Sequence, residues 1–249
     1  MLNLPRNWND ITFYQYQELV DIELNIEDNK MVEQLAVLLD ISPDDEIIAD
    51  LDVDEVFDIF AKLKWLKKPI PKKIEKVIDD KKLKDFSDIR LGEFIDIEYY
   101  LQDDFIKGKL MIASILYRRF KTDEWGNIVY EPYLYDPVER SELYKSMSIC
   151  SIDGLLDGYL NFRENFLKNY QQLFEGEESF EEDFDDLQGR EIAEMKKALA
   201  ENKKRKKWGF ENLIWNLSGG DITKFEELFE MKLILVFNVL SMRKSLGVE

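Results

Sequence analysis

Apolar residues recur along this chain at helical spacing, separated by runs of acids and lysines. The first such stretch begins at Thr12-Phe-Tyr-Gln15, where Thr12 can cap a helix while Gln15 reaches back to the cap. Ile11 before the cap and Tyr16 after it suit a hydrophobic staple. Phe13, Tyr16, Leu19, Val20 and Leu24 then predict a buried face running to about residue 24. A second helix is predicted over roughly 29–39, with Met31, Leu35, Leu38 and Leu39 as its apolar positions. Ser42-Pro43-Asp44-Asp45 reads as a third start, with a capping serine, proline at the first helical position and acids near the positive end of the dipole. Asp52 with Glu55 starts a fourth, whose stripe is Val56, Ile59, Phe60, Leu63 and Leu66.

Pro69-Ile-Pro71 breaks this N-terminal helical unit, which covers 1–68. Over 73–89 the spacing changes. Ile74, Val77, Ile78 and Leu83 among charges predict a β-hairpin or ladder. A helix over about 91–102 follows, with Phe94, Ile95, Ile97 and Leu101 inward, and then a strongly apolar helix over 105–120. Asp123-Glu-Trp-Gly-Asn127 is a turn, 128–130 a short extended piece, and 131–137 an ordered aromatic loop. Asp136-Pro137 starts a helix to about Met147. Ser151-Ile-Asp-Gly154 starts a longer one, to about Phe174.

Residues 175–186 are almost wholly acidic and read as a linker, after which a basic helix leads into Trp208. Leu213, Ile214, Trp215 and Leu217 precede Ser218-Gly-Gly-Asp221. A left-handed C-cap at one glycine is the better account of that sequence than an anion loop, since no Gly-Lys-Ser/Thr follows. Thr223 and Glu226 would box the next helix, which opens an apolar run from Phe225 to Leu240. The expected fold is mainly α. A helical body covers 1–174 (1–68 plus a middle portion, 69–174, with a minor β-hairpin element). The acidic linker 175–186 then leads to a C-terminal helical segment, 187–249.

Composition narrows the chemistry. Of 249 residues, 45% are hydrophobic, enough for a folded core, and the formal net charge is -18. That charge disfavours nucleic acid and anionic membrane as partners. The basic run Lys203–Lys207 reads better as a solvated or self-paired helix face than as a nucleic-acid site. No apolar run reaches the roughly 20 residues of a spanning helix, and the N-terminus has no signal-peptide pattern. The single cysteine, Cys150, excludes an intramolecular disulfide and points to a reducing, cytosolic setting. Histidine is absent, which removes Ser-His-Asp and Cys-His catalysis and histidine metal sites. Asp50, Asp52 and Asp54 alternate, but Glu55 stands where a calcium loop needs glycine, so capping by Asp52 is the better reading. No catalytic, metal or cofactor residue is assigned. The candidate partner-binding residues are Trp125, Tyr133 and Tyr135 in the middle portion and Trp208, Phe210 and Trp215 near the C-terminus. For the loop aromatics, a core-covering role and an interface role stand level.

Three motif groups occur together. They are Trp8-Asn-Asp-Ile-Thr12 with Tyr14-Gln-Tyr16 and Leu19; Leu116-Tyr-Arg-Arg119 with Asp123-Glu-Trp-Gly-Asn127, Tyr130-Glu-Pro132 and Tyr135-Asp-Pro137; and Trp208-Gly-Phe210 with Trp215-Asn-Leu217 and Gly219-Gly-Asp221. In this order they resemble proteins of tailed bacteriophages of the tail-assembly-chaperone kind. The resemblance implies an acidic, largely helical, non-catalytic factor of the host-cell cytoplasm that coats the tape-measure protein and recruits tail-tube subunits. A homo-oligomer is compatible with that role. A structural virion component, such as a connector, baseplate or tail protein, is the alternative.

Overall fold

In the computed structural model of the chain, residues 2–24, 30–102, 105–133, 140–173 and 209–247 are described, with only the backbone described at 105–107 and 209–212. The architecture is mainly α, with one small antiparallel sheet of four strands in the order β1-β2-β3-β4. The residues group into two compact units, Met1–Phe86 with Ile97–Arg163, and Ser87–Asp96 with Glu164–Glu249.

In the first unit, Trp8 is buried in a 3-10 turn. Its ring meets Trp65 edge-on at 5.4 Å, and its Nε1–H donates to the Lys68 carbonyl at 2.9 Å. Helix α1 (Phe13–Leu24) opens with the expected capping box: the Thr12 N–H donates to Gln15 Oε1 at 3.0 Å, and the Gln15 N–H to Thr12 Oγ1 at 3.1 Å. Helix α2 (Lys30–Leu39) packs on α1 and buries Leu35, Ala36 and Leu38. It ends in a Schellman turn. The Ile41 N–H bonds the Ala36 carbonyl and the Asp40 N–H the Val37 carbonyl, with Asp40 at φ +57° where glycine is usual. Two short elements follow, α3 (Glu46–Ala49) and α4 (Val53–Lys62), the latter with the complete Asp52–Glu55 capping box.

Strands β1 (Val77–Ile78) and β2 (Lys81–Leu83) form the expected hairpin through Asp79 at φ +50°. Helix α5 (Leu91–Gln102) has the expected bounds. Helix α6 (Phe105–Leu116) runs directly into β3 (Tyr117–Thr122), which pairs with β2 (Leu83↔Tyr117, Lys81↔Arg119) and with β4 (Ile128–Tyr130).

The long helix α7 (Ile149–Asn169) is the axis of this unit's core. The Ile149 N–H donates to the Ile11 carbonyl, Phe13 N–H to Met147, and Lys73 N–H to Cys150. A Cβ at Gly154 would collide with the Lys73 backbone, and one at Gly158 would lie 2.7 Å from Ile74 Cδ1, so residues 73–74 lie against a smooth helix face. Two ion pairs are sequestered along α7. Lys109 bonds Asp153 at 2.6 Å, and Glu98 takes Arg163 in a fork at 2.6 and 2.7 Å while accepting the Tyr159 hydroxyl.

In the second unit, Phe94, Phe166, Tyr170 and Phe237 form an aromatic core, with Phe166 and Phe237 centroids 4.8 Å apart. The Leu91 N–H donates to the Met231 carbonyl and the Leu233 N–H to Ile89, joining the start of α5 to the start of α10 (Leu233–Leu246). Helix α8 (Gly209–Ser218) ends as expected at left-handed glycines, with the Gly220 N–H bonded to the Trp215 carbonyl at 2.9 Å.

Several boundaries differ from the sequence expectation. Ser42 does not cap. Ser42–Asp45 is a turn with Pro43 at its second position, and Asp45 caps α3 by accepting the Ile47 N–H at 2.9 Å. The predicted helix 105–120 stops at Leu116, because pairing with β2 and β4 claims the backbone from Tyr117 onward. Helix α7 starts two residues before Ser151, with Ser148 Oγ accepting the Cys150 N–H, and ends at Asn169, not Phe174. Gly154 is therefore an interior packing position and not part of a helix start. Thr223 and Glu226 form no capping box. Thr223 gives both its N–H and its hydroxyl to Asp221, which caps a 3-10 turn. The run 225–240 splits into α9 (Phe225–Phe229) and α10. On α1, Leu24 is 75% exposed and Ile22 is buried in its place.

Gly154→Ala is expected to lower stability by about 1–3 kcal/mol through overpacking, despite a helix-propensity gain of about 1 kcal/mol. Gly158→Ala, which is crowded by the flexible end of Ile74 and otherwise meets Phe86 at ordinary contact distance, should be close to neutral. Urea denaturation of the two variants separates the effects, and equal outcomes would contradict the packing assignment.

Candidate functional site

The β3–β4 hairpin is built from a buried root and an exposed tip. At the root, Arg118 is 2% exposed. Its guanidinium lies 5.0 Å over the Tyr133 ring, and its Nη2 donates to the Glu131 carbonyl at 2.7 Å. Tyr117 is fully buried, and its hydroxyl donates to the Glu75 carbonyl at 2.5 Å. The Tyr144 hydroxyl donates in turn to the Tyr117 carbonyl at 2.9 Å. Burial raises the pKa of both phenols, so they stay protonated donors. Further out, the Tyr130 hydroxyl donates to the Leu83 carbonyl at 3.2 Å, tying β4 back to β2 across β3.

The tip is organised by one carboxylate. Asp123 Oδ1 accepts the Trp125 N–H at 2.9 Å and the Asn127 N–H at 2.7 Å, while Oδ2 accepts the Asn127 side-chain amide at 2.9 Å. The backbone closes the same loop through Asp123 N–H to Asn127 O and Gly126 N–H to Asp123 O. Gly126 sits at φ +83°, a conformation that L side chains rarely adopt. These bonds, the Asn127 side-chain amide foremost, hold the Asp123 carboxyl below the usual carboxylate range. The result is a pinned turn that presents Trp125 with 83% of its surface in water. Ile128 and Val129 on β4 are also exposed. Burying an aromatic side chain of this size against a partner is worth on the order of 3–5 kcal/mol.

The candidate aromatics fall into different surroundings. Trp125 is the hairpin tip. Tyr133 is 6% exposed beneath Arg118 and anchors the root, so it offers no contact surface. Trp215 belongs to the second unit. It is half-exposed, and its ring lies over the C-cap, where a Cβ on Gly220 would come within 3.2 Å of it. Tyr135 and Trp208 lie outside the described residues, as do the acidic stretch 175–186 and the basic run 203–207, and only the backbone of Phe210 is described. Sequence reasoning passed over Asp123 as the residue that shapes the tip, although Asp followed by Gly-Asn at this spacing is a local signal for it. It also passed over the exposure of Ile128 and Val129.

Asp52 is a helix cap, and Cys150 is buried with its thiol pKa raised by desolvation. Among the described residues no group of three or more acidic or cysteine side chains could hold a metal ion, and no helix is long and apolar enough to cross a membrane. Compared with protein-family models, curated proteins and solved structures, the chain matches none.

Because the Asp123 pKa is depressed on folding, its contribution to the turn is present above the unfolded carboxyl value of about 3.9 and is lost as pH falls through the folded value. Amide exchange at Trp125 and Asn127 should therefore accelerate below about pH 4 relative to the β3–β2 amides. In Asp123→Asn that acid-specific step should be absent. Unchanged acid behaviour in the variant would show that another group pins the turn.

Proposed function

We propose that this chain is a non-catalytic binding protein that grips a protein partner with the Trp125 hairpin. We propose further that it serves bacteriophage tail assembly, engaging the tape-measure or tail-tube protein in the host-cell cytoplasm. The observation that carries the binding reading is the pinned turn with its exposed indole. An aromatic anchor carried on a backbone already held in place saves the cost of ordering the loop on docking, which favours affinity. Ile128 and Val129 extend the apolar contact along β4, and the buried root resists deflection of the tip. The tail-assembly part rests on the sequence resemblance, in which Asp123-Glu-Trp-Gly-Asn127 is itself one of the shared motifs. A histidine-free chain of net charge -18 agrees with an acidic assembly factor.

Co-expression of the tagged chain with each tail protein encoded beside it tests this reading. The tape-measure or tube protein should co-purify. Trp125→Ala should weaken that capture at least tenfold, equivalent to about 1.4 kcal/mol or more, with no change in melting temperature. Failure to capture any tail protein would sink the assembly reading. Mass spectrometry of purified particles then decides between a factor that leaves, which is absent from them, and a structural component, which is present.

A further inference from the structure

A second feature of the first unit is a groove of about 540 Å³ between α1, α2 and the loop after α2. Its base is apolar: Ile22 and Ala36 are buried, and Val37 and Ile41 flank them. Its rim is acidic, with Glu18 and Asp21 from α1, Glu33 from α2 and Asp40 from the Schellman turn. Among the described residues none of these four carboxylates pairs with a lysine or arginine. The Glu18 carboxylate acts first of all on the neighbouring Tyr14 phenol, whose pKa it raises. Lys145, whose Nζ is 6.0 Å from the Tyr14 ring centroid, is paired with Glu142. The groove therefore has an apolar base that no side chain among the described residues fills, bordered by negative charge from both helices.

We infer that this groove docks a basic segment of a partner protein carrying an apolar anchor, with the anchor on the Ile22–Ala36–Val37 base and lysines or arginines against the rim carboxylates. Charge complementarity selects this occupant. An acidic or neutral segment would leave like charges facing one another or unneutralised, whereas a cationic one removes the repulsion and gains steering. The apolar base requires more than charge, because a purely hydrophilic basic chain leaves it wet. The site lies on different elements from the Trp125 hairpin, so it stands or falls independently of the function proposed above.

Fluorescence anisotropy with three labelled 14-residue peptides tests it. One is an amphipathic leucine/lysine helix, one its leucine/glutamate counterpart, and one a serine/lysine peptide of the same charge. The leucine/lysine peptide should bind, more weakly as salt rises, and each of the others at least tenfold less tightly. Glu18→Gln with Asp21→Asn should weaken the leucine/lysine peptide about tenfold. Removing the same charge on the exposed face of α4, by Asp54→Asn with Asp58→Asn, should change it less than twofold. Asp40→Gly guards against loss of fold. Relief of the left-handed backbone should raise the melting temperature by roughly 2–4 °C, yet binding should fall several-fold. Equal binding of the serine/lysine or leucine/glutamate peptide, equal losses from the rim and α4 pairs, or full affinity in both rim variants would each overturn the assignment.

Discussion

The close approach of residues 73–74 to the α7 face at Gly154 and Gly158 is the contact on which the first unit depends. Two interior glycines cost a helix about 1 kcal/mol each relative to alanine, so they persist only where something must lie against them. What lies there is the Lys73 backbone at Gly154 and the Ile74 side chain at Gly158, fixed further by the Lys73 N–H on the Cys150 carbonyl and by the pairing of Lys72 with Asp157. The same segment then offers the Glu75 carbonyl to the Tyr117 hydroxyl. A strand root, a helix start and a connecting segment are thereby held in one register. The Trp125 hairpin inherits its position from this chain of contacts, since β3 is the strand that Tyr117 opens.

Polar burial along α7 follows the same logic. Lys109 with Asp153, and Glu98 with Arg163 and Tyr159, each remove charges from water only together with their partners. Such pairs add little net stability over an apolar pair of equal volume, but either partner alone would be severely penalised. They consequently discriminate against any shift of α5 or α6 along α7.

Local signals were legible where a motif closes on itself. The Thr12–Gln15 and Asp52–Glu55 boxes, the Gly219–Gly220 stop and the Asp123–Asn127 turn depend on neighbours within five residues, and all of them form. Other signals lost to a nearby competitor, as Thr223 did to Asp221 and Ser42 to Asp45, or failed where a distant partner arbitrates. Nothing near Leu116 announces the end of α6; pairing with β2, more than 30 residues earlier, decides it. Ser148 and Ser151 are comparable caps locally, and the bond from Ile149 to the Ile11 carbonyl chooses between them. The site divides in the same way. That Trp125 occupies a turn follows from sequence, whereas the burial of Tyr133 is set by the Arg118 guanidinium and has no local signature.

The second unit draws residues 89–94 together with 231–237 across intervals such as the 144 residues between Asp88 and Lys232. At ribosomal rates of about 5–20 residues per second, the later partners emerge on the order of 10 s after the earlier ones. Until then Ile89 and Leu91 lack their backbone partners Leu233 and Met231, and Phe94 lacks the Phe237 ring. Synthesis therefore passes through a stage in which half of one core waits in solution for the other, a window in which a nascent chain is open to capture by chaperones or by its own copies on the same polysome.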